Sequence, residues 1–265
     1  MTLQQAPERH RISPQAPLSH VGVLVPWANA VVEAELPKWG RGRTVWHYAR
    51  LVPAHGGTAL DDDFLSGLIE AVPGALHQLS PLSLDRVYLA CTSADFTQVR
   101  RLAQVTAGSP VRVVGAFEAI MAQLRAYGAQ KIALVTPYPH EVTEVEVIQF
   151  AEQGVLVTDS ASLGLADGYA EVTLNQQAAL VDQLEKEAIQ QADAIVLSCT
   201  GWPTRAAITM LRHRLGRPVT SSNAAIALHA HRSTRERRRS RPTPVQPGLD
   251  RQRARRGEDG GRGQP

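Results

Sequence analysis

The chain has 265 residues, 43% of them apolar and 5% aromatic, enough to bury a full core without disulfide or metal staples. It holds no apolar run of the roughly 18 residues a membrane span needs and no secretion-signal core in its first 20 residues, and its two cysteines form no CxxC pair, so a reducing, cytoplasmic setting is expected. The net charge of +3 is uneven: eleven Arg face four acidic residues from His229 onward, whereas the preceding 228 residues carry 17 basic and 21 acidic side chains, so the basic balance belongs to the tail and says nothing of what the body binds.

Residues 1–19 lack a periodic apolar pattern and are expected to be disordered. Eight short β-branched runs follow, each bounded by Gly, Pro, Ser or Asp, at 20–26, 44–52, 85–91, 111–116, 131–137, 154–160, 193–199 and 217–222. Helical patterns lie between them at 61–79, 117–127, 140–153 and 171–192, the last gathering Val172, Ala179, Leu180, Leu184 and Ile189 near one face. Gly56-Gly57 reads as a loop turn. A helix starting near Asn223 packs Ala225, Ile226 and Leu228 and is expected to fray where charge begins. Residues 229–265, rich in Arg, Gly, Pro and Gln, read as a disordered tail. It reads as a solvated extension more readily than as a nucleic-acid contact.

Alternating β and α units imply an α/β fold with parallel sheets, whose active sites gather at the carboxyl ends of strands. An internal repeat refines this. One strand ends in Val25-Pro26, and 65 residues later another ends in Cys91-Thr92-Ser93. A second pair ends in Thr136-Pro137 and, 62 residues later, in Cys199-Thr200-Gly201. Two pseudo-symmetric, doubly wound halves are therefore expected, 20–116 plus 220–228 and 117–219, with the active site between them.

Each cysteine ends a buried strand and precedes Thr, a small residue and a helix. Outward-pointing amides there favour an anion, so a thiol pKa lowered toward neutrality is expected, fit for a nucleophile, acid or base. The amides of Thr92, Ser93, Thr200 and Gly201 are placed to hold a carboxylate or an enolate-like oxygen. Taken singly, either cysteine also reads as a plain apolar core residue. The matched settings favour chemistry for the pair. Nine histidines are scattered, with only His229 and His231 close together, so no metal site is expected. No Walker loop or GxGxxG follows a strand, so nucleotide binding has no support.

Pro26-Trp27-Ala28-Asn29 with Glu33 and Glu35, Ala90-Cys91-Thr92-Ser93, Thr136-Pro137-Tyr138 and Ser198-Cys199-Thr200 together resemble the aspartate/glutamate racemase superfamily. Within it the chain is most similar to the maleate cis–trans isomerase and arylmalonate decarboxylase branch, over residues 20 to about 227. The resemblance implies Cys91 as nucleophile or base and Cys199 as the opposing acid. It implies that Asn29 and Tyr138 bind substrate carboxylates and that Thr92, Ser93, Thr200 and Gly201 supply donors. Asn29 also reads as a helix cap and Tyr138 as a turn residue between two prolines. The decarboxylase pattern keeps only the second cysteine, so Cys91 argues against that reaction. Trp27 and Ala28 replace small hydroxyl residues, Gly168 stands where an Asn often follows Asp, and Trp202 is expected to place a bulky ring close to the second cysteine; the missing Asn and the bulky Trp202 together point to a substrate other than maleate.

The expected function is a cofactor-independent isomerase acting through two cysteines on a small (di)carboxylic acid. The alternatives are an Asp/Glu-type amino-acid racemase, an arylmalonate decarboxylase-like lyase and a non-catalytic family member with a basic tail. No cofactor, metal or membrane is expected, nucleic acid is not an expected partner, and self-association into a homo-oligomer stays open.

Overall fold

Parallel strands buried on both faces read as continuous apolar runs. β1 (Ser19–Pro26), β3 (Arg86–Leu89), β5 (Lys131–Thr136) and β7 (Ala194–Leu197) are such strands. In the computed structural model, which describes residues 18–39, 44–54 and 57–240, they are the inner strands of two four-stranded parallel sheets. The outer strands are β2 (Thr44–Leu51), β4 (Val113–Gly115), β6 (Leu156–Ser162) and β8 (Val219–Ser221). Both sheets have the same order, β2-β1-β3-β4 and β6-β5-β7-β8, as the internal repeat implies. The register aligns Leu24 with Leu89 and Val135 with Leu197. The loops after β1 and β5 therefore emerge level with the two cysteines, each two residues past its strand.

Side-chain alternation divides three cores. Val21, Val23 and Val25 of β1, with Ile132 and Leu134 of β5, face a layer shared by both halves. That layer holds α6 (Ala116–Tyr127) and α11 (Ser222–Ser240), the latter also packing on α1 (Val32–Trp39). Leu24 and Leu89 point the other way, onto α2 (Asp62–Glu70) and α3 (Val72–Leu79). Ala133, Val135 and Leu197 pack on α8 (Leu174–Val181) and α10 (Arg205–Leu215). Among the described residues no helix is long and apolar enough to cross a membrane.

Three sequence expectations need correction. The pattern over 61–79 is two helices, broken at Ala71, because Pro73 near the start of α3 has no N–H with which to continue the α2 ladder. The pattern over 171–192 divides into a 3-10 turn (Tyr169–Glu171), α8 and α9 (Lys186–Gln191); Thr173 and Gln176 form a capping box that starts α8 afresh. The last helix does not fray near residue 229 but runs to Ser240. Its continuation is anchored: Ala230 is buried, His229 Nδ1 pairs with the Tyr88 hydroxyl at 2.7 Å, and Arg232 donates to Gln123 Oε1 at 2.7 Å. The expectations for residues 1–17 and 241–265, and for Gly56, lie outside the described residues.

Candidate active site

The carboxyl ends of β1, β3, β5 and β7 open onto one cleft of about 380 Å³. Its walls hold Asn29 and Cys91-Thr92-Ser93 from the first half, and Tyr138 and Cys199-Thr200-Gly201 from the second. All eight residues expected from the sequence thus meet in one place. Among the described residues the cleft wall carries no Lys, Arg or His, and its charged lining residues are Asp167 and Glu171. Pro26, Ala28, Leu60 and Phe64 make one side apolar.

Cys91 occupies the N-cap position of α4 (Thr92–Thr97), a helix of six residues, and its sulfur lies 3.6 Å from Ser93 Oγ. Cys199 sits in a tight turn with φ of 146°, a region that favours glycine. The Gly201 N–H donates to the Cys199 sulfur at 3.1 Å, and the Tyr138 hydroxyl is also its hydrogen-bond partner. The expected lowering of the thiol pKa values is not what this geometry does. Burial pushes Cys91 up and Cys199 up to about 12, with hydrogen bonds to each sulfur opposing only part of the effect. Cys199 lacks the helix N-terminus the sequence suggested, since α10 begins only at Arg205. The two sulfurs are close enough for the charge of one to disfavour ionisation of the other.

Asn29 does two jobs. Its Oδ1 accepts the N–H groups of Val31 and Val32 at 2.9 and 3.2 Å, capping α1, while Nδ2 donates to Thr200 Oγ1 at 3.2 Å. Thr200 Oγ1 donates a hydrogen bond to the carbonyl of Ala90 at 2.7 Å, and Thr92 Oγ1 donates to Ser222. Both threonine hydroxyl protons are therefore engaged by protein. Ser93 and Asn29 line the cleft, as does Thr92 at the start of α4, where first-turn amides have no intrahelical acceptor. Behind the Asn29 loop, Arg50 donates to the Asn29 carbonyl at 2.6 Å and pairs with Glu33, fixing the loop from outside the cleft.

Trp202 packs in the same buried cluster as Cys199. Its ring is wholly buried in the second-half core and does not line the cleft. Trp27 faces outward and donates to the Gly57 carbonyl at 3.2 Å. The ring that does shape the cleft is Tyr169, which escaped sequence reading. It stands edge-on to Tyr138 with centroids 5.8 Å apart and leaves only 3.2 Å for any Cβ at Gly201. Its hydroxyl donates to the carbonyls of Leu165 and Ala166 at 3.2 Å. Thr58 Oγ1 donates to Asp167 at 3.1 Å and Leu60 N–H to the Ala166 carbonyl at 2.9 Å, so loops from both halves meet at the mouth.

Two carboxyls are buried behind the cysteines. Glu146 of α7 (His140–Glu152) accepts from Ser198 Oγ, has a second oxygen without a partner, and is pushed by burial from 4.5 to about 8. Asp95 accepts the N–H groups of Phe117 and Glu118, and burial raises it to about 7. The linkage has a definite sign. As pH rises from 4.5 toward 8 the unfolded chain releases the Glu146 proton while the folded chain keeps it, so stability falls across that window. Glu146→Gln, which stays neutral, is expected to flatten the fall and to raise the melting temperature at pH 8 by on the order of 5 °C. Melting curves from pH 5 to 8 check this; parallel wild-type and variant profiles would refute a neutral Glu146.

The arylmalonate decarboxylase family profile matches residues 79–242, more than half of the chain. The chain is 29% identical over 221 residues to a maleate isomerase of Geobacillus stearothermophilus, covering 76% of this chain and 86% of that protein. It is 38% identical over 109 residues to the arylmalonate decarboxylase of Bordetella bronchiseptica, covering 40% of this chain and 45% of that one. Its fold matches the maleate cis–trans isomerase of Nocardia farcinica, solved as a Cys-to-Ser mutant with a covalently bound succinylcysteine intermediate. That match has a TM-score of 0.72 at 23% identity, covering 82% of this chain and 93% of the other.

Proposed function

Because the chain belongs to the arylmalonate decarboxylase family, we propose that it is a cofactor-independent isomerase that interconverts maleate and fumarate through Cys91 and Cys199. The observation that carries this reading is the convergence of two thiols, one from each half, on a cleft whose polar lining supplies neutral donors. A decarboxylase needs one thiol; addition and elimination across a double bond use two.

The residues divide the work as follows. One carboxylate of maleate lies against the α4 amides, Ser93 Oγ and Asn29. The Cys91 thiolate adds to one alkene carbon, and Cys199 gives its proton to the neighbouring carbon, becoming the thiolate. The new single bond turns. Cys199 takes the proton back, the Cys91–carbon bond breaks, and fumarate leaves with both sulfurs restored. The pair thus needs one negative charge and one proton at a time. The high pKa of Cys199 suits the group that must hold its proton at the outset, and Gly201 N–H and the Tyr138 hydroxyl stabilise it when the proton has gone.

The test is proton NMR of maleate with enzyme in deuterated water. Appearance of fumarate supports the reading; unchanged maleate contradicts it. The apolar wall of Leu60, Phe64 and Ala28 supports a second reading, decarboxylation of an arylmalonate, which proton NMR with phenylmalonate in place of maleate reports as formation of phenylacetate.

Asn29→Asp separates the two jobs of that residue. Aspartate caps a helix as well as asparagine does, so stability stays within about 1 kcal/mol. It removes the Nδ2 donor and sets a carboxylate against the substrate's own, so kcat/KM is expected to fall by about 100-fold or more. Steady-state kinetics beside a melting curve check both halves of the statement, and an active Asn29→Asp enzyme would remove Asn29 from substrate binding.

A further inference from the structure

Where β8 passes directly into α11, Ser221, Ser222 and Asn223 are wholly buried and outside the cleft wall. Ser222 Oγ accepts Thr92 Oγ1 at 2.9 Å and the backbone N–H of Cys199 at 3.0 Å. One atom therefore joins the residue after Cys91 to the amide of Cys199, two motifs more than a hundred residues apart. The neighbours reinforce it. Asn223 Nδ2 donates to the Thr200 carbonyl at 3.1 Å and to Glu35 Oε2 at 3.2 Å. Ser221 Oγ accepts from Thr204 at 2.8 Å, and Thr204 and the Arg205 N–H donate to the same Glu35 carboxylate, which comes from α1 of the other half.

We propose that Ser222 is a positioning residue that holds Cys199 in its glycine-like turn and sets the two cysteine motifs in register. The inference rests on the isomerase reading for its kinetic consequence only. The physical reason is local. A non-glycine residue at φ of 146° is strained, and such a conformation persists only where its surroundings hold it. The hydrogen bond from the Cys199 amide to Ser222 is one such hold, and it also keeps the sulfur beneath the Gly201 N–H. Without the hydroxyl, the amide and Thr92 Oγ1 lose their shared buried acceptor, the turn relaxes toward ordinary extended backbone, and the sulfur moves out toward the cleft.

The test compares Ser222→Ala with Thr220→Val in the full chain. Thr220 is equally buried and only two residues away, but its hydroxyl has no partner, so its isosteric replacement serves as the structural control. Two readouts are taken: kinetics with maleate, and the rate of iodoacetamide alkylation at each cysteine, read by peptide mass spectrometry. Ser222→Ala is expected to lower kcat by about tenfold to a hundredfold with KM within about threefold, since a mispositioned acid affects the transition state more than binding. Alkylation of Cys199 is expected to quicken at least about threefold, while Thr220→Val matches wild type in both readouts. Should Ser222→Ala fail to fold, Thr92→Val removes the other bond to the same atom and is expected to quicken Cys199 alkylation by about twofold, an effect carried across from the other half. Rates within experimental error of wild type at Cys199 in the folded variant overturn the proposal. If Cys199 alkylation changes as stated but wild-type protein leaves maleate untouched, the positioning role stands and the isomerase reading falls.

Discussion

Cys91→Ala and Cys199→Ala each lower maleate turnover by at least about a thousandfold, because each thiol performs a step the other cannot. In the proposed reaction Cys91 forms the bond to carbon and Cys199 delivers and recovers the proton, so the losses do not add: the double variant is expected to be no worse than either single one. Both thiols are small and buried, and each truncation removes one sulfur, so the fold survives at a cost of about 1–2 kcal/mol. Circular dichroism and melting curves separate the two effects. A serine in place of either thiol remains nearly inactive, since a hydroxyl is a far poorer nucleophile and acid at neutral pH. If one variant kept most of its activity, catalysis would rest on the other thiol alone, as in a decarboxylase or a one-base racemase.

Gly115→Ala has the largest expected effect on stability. A Cβ at this position would lie 1.8 Å from Asp95 Oδ2, so the methyl group and the carboxyl cannot coexist. The carboxyl is pinned there by the N–H groups of Phe117 and Glu118 at 2.8 and 3.2 Å, at the start of α6. Expelling it strands two buried donors and displaces α4, whose Asp95 N–H bonds the Cys91 carbonyl at 3.1 Å. Overpacking together with lost hydrogen bonds costs about 3 kcal/mol or more, or about 10 °C in melting temperature for a chain of this size. Adding Asp95→Ala vacates the contested space, so the double variant is expected to be less destabilised than the sum of the singles. Strict additivity would mean that the two groups do not compete.

The strands and the paired cysteines were legible because parallel strands buried on both faces are unmistakable as short apolar runs, and because the repeat preserved Cys-Thr at matching strand ends. Asn29 was legible through its cap position as much as through resemblance. Other features left no local mark. Tyr169 lies in an irregular stretch, and only the fold of the second half turns it toward Tyr138. Ser222 looks like any serine at the start of a helix, since its partners lie at Thr92 and Cys199. The thiol pKa values were misjudged because sequence reveals a nearby helix start but not the depth of burial, and burial dominates here. The run of α11 past His229 was missed because arginine-rich sequence suggests solvent. Yet Ile226, His229 and Ala230 continue the helical spacing of the buried face, and His229 reaches Tyr88.

The two-thiol account can be tested with Cys199→Ser and maleate, followed by intact mass and peptide mapping. With Cys91 present and the proton-recovering thiol replaced, the carbanion left by addition takes its proton from the introduced hydroxyl or from water, and the adduct should outlast elimination. The expected result is a mass gain of one maleate, located on Cys91 as a succinyl thioether and absent from the Cys91→Ala, Cys199→Ser double variant. A protein that stays unmodified, or one that carries the adduct at any other residue, would contradict the assignment of Cys91 as the nucleophile.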